Sequence, residues 1–194
     1  MKEKIEELLR STKRDGIEDL IAYLDAIGFY DAPASTQFHG AYQGALAEHS
    51  LNVYKAAMEL FDGWVQFRDE IKCDENLPLS IILCALLHDV GKCGQFGKPL
   101  YTPNKLKSGK ISDAKPFERN KDLKTLPHEI VSCIEITKFI DLTEDEQQAI
   151  AWHNGLYGAF KYDIQGNETP LYMIIHFADM WASRVMESKS KEVK

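Results

Sequence analysis

The chain of 194 residues has no apolar run longer than Ile81-Ile82-Leu83-Cys84-Ala85-Leu86-Leu87, seven residues. A membrane-spanning helix needs about 20, so none is expected and no membrane partner follows. The first residues, Met1-Lys2-Glu3-Lys4-Ile5-Glu6-Glu7, carry no apolar core, which argues against a secretory leader. Cysteine is scarce. Cys73, Cys84, Cys93 and Cys133 form no CxxC pair, a spacing that suits neither a disulfide framework nor a zinc site and predicts reduced thiols in the cytoplasm. Positive charge is short too: 23 basic residues against 30 acidic ones give a formal net charge of −7. Proteins that grip long duplex DNA are usually basic, so duplex DNA is not an expected partner. A small anionic substrate fits better, because a metal or a local basic loop can reverse the field at one site. Repeats and low-complexity tracts are absent. A chain of this length buries about 70% of its unfolded surface and needs no covalent staples.

What is present is helical periodicity. Ile17, Leu20, Ile21, Leu24 and Ile27 follow the i, i+3, i+4 pattern, with Gly28 placed to stop the helix. A shorter helix precedes it around Ile5, Leu8 and Leu9. A long one is expected from Leu46 to about Asp69, with Gly63 as a break or bend. Pro78 fits the first turn of a helix that runs through the apolar stretch to Leu87; apolar on most sides, it should be central, and Gly91 should end it. Further helices are expected over residues 127–139, after the capping box Thr143-Glu144-Asp145-Glu146, and from Thr169-Pro170 through Val185. No strand ladder is evident, although residues 161–164 could be a short extended piece. The class is therefore all-α: N-terminal helices over 1–37, a helical domain over 38–187, and a polar tail over 188–194.

Residues 93–127 differ from the rest. Seven lysines and one arginine stand against three acids, punctuated by Gly94, Gly97, Pro99, Pro103, Gly109 and Pro116. A structureless loop of that length is uncommon inside a helical domain and is often functional. It could be a solvated insertion. Its place directly after His88-Asp89 favours a lid or wall facing an anionic substrate.

The six histidines carry the chemistry. His88 and Asp89 end the most apolar helix, in Leu87-His88-Asp89-Val90-Gly91-Lys92. A helix C-terminus favours a cationic histidine but disfavours the aspartate beside it. A cation bound by both removes the conflict. Asp179 lies inside another apolar stretch, where an unpartnered carboxylate is unusual. With His49 on the long helix, nitrogen and oxygen donors from three helices suit a divalent metal: Mn, Fe, Co, Ni or Zn, with Mg as a further option.

The order Ala47-Glu48-His49, then Leu87-His88-Asp89-Val90-Gly91-Lys92, then Phe177-Ala178-Asp179 resembles the HD-domain superfamily of metal-dependent phosphohydrolases. The resemblance covers roughly residues 38–184 and implies an all-α bundle. It also implies that His49, His88, Asp89 and Asp179 hold one ion. His128, in Leu126-Pro127-His128-Glu129, and His153, in Ala151-Trp152-His153-Asn154-Gly155, would hold a second, with Asp89 bridging. The chain has His153-Asn154-Gly155 where the cyclic-dinucleotide phosphodiesterase branch resembles His-His-Glu. It is more similar to the HD domain of bacterial 3′–5′ exoribonucleases, here without an attached nucleic-acid-binding module.

The implied activity is hydrolysis of a phosphomonoester or phosphodiester of a nucleotide or short oligonucleotide, so short single-stranded nucleic acid is a candidate partner. Asp89 would orient the nucleophile and Lys92 would offset phosphoryl charge as a point charge. Arg184, His39 and His176 are further candidates for substrate contact. Two other classes share the ligand set: an HD-type di-iron oxygenase, and a module that binds a nucleotide without turnover.

Overall fold

The computed structural model describes residues 1–37, 40–64, 74–155 and 162–188. Seven α-helices dominate them, as the periodicity requires. Helices α1 (Lys2–Ser11) and α2 (Ile17–Ala26) bury Ile5, Leu8 and Leu9, and Ile17, Leu20, Ile21 and Leu24. Helix α3 (Ala45–Trp64) passes through Gly63 without the expected break; residues 65–69 lie outside the described residues. Helix α4 (Leu77–Leu87) has Pro78 in its first turn and buries all but two of its residues. Each buried Leu or Ile there contributes about 1.5–3 kcal/mol. Accordingly α4 is the hub, packed by α1, α3 and the two last helices, α6 (Glu144–Ala151) and α7 (Pro170–Trp181).

Both predicted caps are formed. The Thr143 hydroxyl accepts from the Glu146 amide at 3.2 Å while the Glu146 carboxylate accepts from the Thr143 amide at 2.9 Å. The Thr169 hydroxyl accepts from the Tyr172 amide at 3.3 Å. Helix α7 then widens into a π-helical turn, Ala182–Met186.

Gly91 departs from its expected role. Helix α4 stops at Leu87, and a 3₁₀ turn, Val90–Cys93, follows. Gly91 is where that turn presses on the start of α5 (His128–Ile136): a Cβ there would lie 2.1 Å from the His128 carbonyl oxygen. The Gly91 amide donates to Ser132 Oγ, which donates to the same carbonyl, both at 2.9 Å. The glycine is needed for close approach rather than for helix termination.

The basic insertion is not structureless either. Strand β1 (Tyr101–Pro103) pairs antiparallel with β2 (Phe117–Arg119), Tyr101 opposite Arg119. Sequence pattern missed this ladder because three-residue strands are too short to show alternation, and Pro103 removes one donor. The ladder continues toward a tip where the Leu106 amide donates to the Lys110 carbonyl at 2.8 Å. All seven lysines of the insertion are exposed, and no residue of 94–127 belongs to the main apolar core. Residues 162–164 form turns and a bend rather than an extended piece; Lys161 lies outside the described residues. Among the described residues no helix is long and apolar enough to cross a membrane.

Candidate metal centre

Packing of α3 against α4 and α7 fixes the first half of the site. It brings His49, in the second turn of α3, to His88 at the end of α4 and Asp179 near the end of α7. Their ligand atoms lie within 4.8 Å of one another. A second, overlapping group consists of His88, Asp89 and His153. His128, the first residue of α5, closes on Asp89 from the far side, its Nε2 3.0 Å from Oδ1. His88, Asp89 and His153 are essentially inaccessible to solvent.

The four imidazoles point the same way. Each Nε2 faces the Asp89 carboxylate, at 3.5 Å for His49, 3.4 Å for His88, 3.0 Å for His128 and 3.5 Å for His153. Each Nδ1 is held from outside. His88 is placed to donate to the Ala85 carbonyl at 3.0 Å and His153 to that of Ile150 at 2.7 Å. His49 meets the Glu187 carboxylate at 3.0 Å and His128 that of Glu129 at 3.2 Å. An acceptor at Nδ1 selects, in the neutral ring, the tautomer with its proton there, which turns the Nε2 lone pair inward as a donor.

Asp89 divides its oxygens between the two sides. Oδ2 faces His49 and His88, and Oδ1 faces His128 and His153. Lys92 Nζ lies 2.5 Å from Oδ2. Burial works to raise the Asp89 pKa, but Lys92 and then His88 hold the carboxyl well below the usual range. Asp179 is likewise held down, against burial, by His49. Burial lowers His153 to about 3, with His88 adding to the effect. His49 goes the other way: burial opposes its charge, yet Asp179 and Glu187 lift it to about 10.

Two buried atoms decide whether a cation suits this set. Asp89 Oδ1 and His128 Nε2 are only 3.0 Å apart, yet their alignment gives neither a hydrogen bond. Buried polar atoms normally have a partner. Imidazole nitrogens and carboxylate oxygens without one are the donors that a first-row divalent ion accepts. The residues present therefore fit a metal, and His49, His88, Asp89, Asp179, His128 and His153 could hold it. Among the described residues, neither candidate group contains a cysteine.

Comparison with known proteins agrees. The family model of the HD domain matches residues 46–180, most of the chain. This protein belongs to the HD domain family. It is also similar to a dihydroneopterin 2′,3′-cyclic phosphate phosphodiesterase of Methanocaldococcus jannaschii, at 34% identity over 94 residues. That alignment takes in 47% of this chain and 34% of the relative, so the chain spans about a third of the length of the curated relative it matches. No solved structure gives a significant match.

Around this HD centre the other predicted residues fall differently. Lys92 is one 3₁₀ turn beyond Asp89 and pairs with it directly. His176 is buried. Its Nδ1 faces the His153 carbonyl at 2.8 Å, and its ring lies under Gly155, where a Cβ would come within 2.3 Å of it. It supports the turn that carries His153. Arg184 is exposed in the π-helical turn, and His39 lies outside the described residues. Sequence reasoning missed three neighbours. Glu129 joins His128 to Asn154, whose amide donates to it at 2.6 Å; its place directly after His128 was the available signal. Tyr101, on β1, is pushed up by burial and drawn down by Lys92, while Asp89 raises it. The hairpin thus places a phenol within electrostatic reach of the centre, and no periodicity marked it. Glu187 is the third.

Proposed function

We propose that the protein is a metal-dependent phosphohydrolase that cleaves a phosphomonoester or phosphodiester of a nucleotide or short oligonucleotide. The observation that carries this reading is the divided Asp89 carboxylate, one oxygen toward each pair of histidines. That arrangement suits a bridging ligand between two ions, with His49, His88 and Asp179 on one side and His128 and His153 on the other. Divalent ions held there supply Lewis acidity, acidifying a water and polarising the phosphoryl oxygens. The chain's own residues do the rest. Four outward Nδ1 anchors fix the rings before substrate arrives, and burial of His88, Asp89 and His153 excludes bulk water beneath the reacting group.

Reconstitution tests the proposal. Protein stripped with a chelator and reloaded with Mn, Co, Ni, Zn, Fe or Mg should recover turnover on a panel of phosphate esters. The relative's name brings a 2′,3′-cyclic phosphate onto that panel beside nucleoside monophosphates and short oligonucleotides. Full metal loading with no hydrolysis anywhere on the panel, together with oxygen consumption by the iron form, would replace the hydrolase with an oxygenase.

Lys92 gives a sharper result. Its ammonium neutralises Asp89 Oδ2 at 2.5 Å; with Asp89 engaged as a metal ligand, the ammonium would be available to face phosphoryl charge. Lys92→Met should keep its metal content, because a competitor for Asp89 has been removed. Turnover should fall by about 10²–10³, the usual cost of one lost transition-state charge contact. Parallel loss of metal in elemental analysis would show Lys92 to be a structural partner only.

A further inference from the structure

Glu187 stands seven residues beyond the segment matched by the HD family model, yet it reaches the centre. Its carboxylate meets His49 Nδ1 with both oxygens, at 3.0 and 3.1 Å. Asn52, one turn after His49 on the same face of α3, donates its amide to Glu187 Oε1 at 3.1 Å. The carboxylate is thus held between the imidazole and the amide. Of the four histidines around Asp89, two lean on backbone carbonyls that their own helix ends supply. His49 lies inside a long helix, where the carbonyls are taken, so its outer nitrogen needs a side chain.

The local backbone delivers that side chain. Eight α-helical residues from Asp179 to Glu187 would advance about 800°, or 80° past two full turns. The π-helical turn Ala182–Met186 lies between them, closed by the Glu187 amide donating to the Ala182 carbonyl at 3.0 Å. A wider turn rotates less per residue and brings Glu187 back toward the face that carries Asp179. Single π-helical turns of this kind occur often at functional sites.

We infer that Glu187, clamped by Asn52 and aimed by the π-helical turn, is a positioning residue that fixes the tautomer and orientation of His49 for metal binding. This rests on the metal-centre reading above. A carboxylate at the outer nitrogen strengthens a ligating imidazole, and loss of such a partner typically costs 10–100-fold in metal affinity.

The test is a Co(II) titration of chelator-stripped protein, followed by its visible absorption bands and by competition with a chelator of known affinity. Wild type should bind with a defined spectrum. Glu187→Ala should weaken binding by about 10–100-fold and alter the bands, which report geometry around the ion. Glu187→Gln keeps an acceptor of the same shape and should recover the spectrum and part of the affinity. Thermal melts in excess chelator should separate the variants little, since neither residue of the pair lies in the apolar core. Unchanged Co(II) affinity and spectrum in Glu187→Ala would overturn the inference while leaving the metal centre intact. Failure of wild type itself to bind Co(II) or any other divalent ion on the panel would overturn both.

Discussion

Asp89→Asn is expected to abolish turnover and to empty at least one side of the metal centre. Asparagine keeps the shape and one accepting oxygen, but it removes the negative charge and the second carboxylate oxygen. Both are used: Oδ1 faces His128 and His153, Oδ2 faces His49, His88 and Lys92. The loss should exceed the about 10²–10³ predicted at Lys92, because the Lewis acid itself departs. Asp89→Ala would confound this result, since it also removes the remaining accepting oxygen and leaves a cavity among the imidazoles. Metal-to-protein ratio and turnover measured on the asparagine variant decide the matter. A variant that retains two ions and loses only rate would remove Asp89 from the bridging position.

The second large effect is on folding and lies far from the centre. Glu146 is fully buried. It pairs with Arg14 from the link between α1 and α2, accepts from Ser80 Oγ on α4 at 2.6 Å, and completes the cap of its own helix through Thr143. One carboxylate thus ties three parts of the chain. Glu146→Ala leaves the guanidinium, the hydroxyl and a helix-end amide without their acceptor. The cost should be about 3–5 kcal/mol, or about 6–20 °C in melting temperature for a chain of this size. Glu146→Gln, which a capping box tolerates, should lose less. Urea unfolding in the presence of a chelator avoids any contribution from bound metal. A loss below about 1 kcal/mol for alanine would show that the ties are not made in solution.

The sequence exposed the centre where local logic failed. His88-Asp89 at the end of so apolar a helix, and Asp179 inside another, make no sense as packing, and a bound cation would reconcile both. The capping threonines and the apolar faces were equally legible, because each depends on residues three or four positions apart. What stayed hidden depends on distant parts of the chain. Gly91 reads as a helix stop until α5 is brought against it. His176 reads equally as a buried support and as a substrate contact until the turn after α6 is laid over its ring. The hairpin pairs residues fourteen to eighteen apart in the middle of a lysine-rich stretch, with strands too short to print a period. Glu187 sits where the sequence turns polar, and its offset from Asp179 makes sense only once the helix is known to widen.

The hairpin also has a bearing on inheritance. It hangs between Cys93 and α5 without lending a side chain to the apolar core, while Tyr101 on its first strand still reaches the field of Lys92 and Asp89. Substitutions on such an exposed segment usually change stability by less than about 0.5 kcal/mol. The bundle must conserve its interior to keep the buried histidines and aspartates in register, whereas the hairpin can exchange residues, charge or length under no such restraint. Diversification of this lineage is therefore expected to accumulate in one replaceable segment beside the site, while the buried histidine–aspartate cluster and the fold that grips it are passed on unaltered.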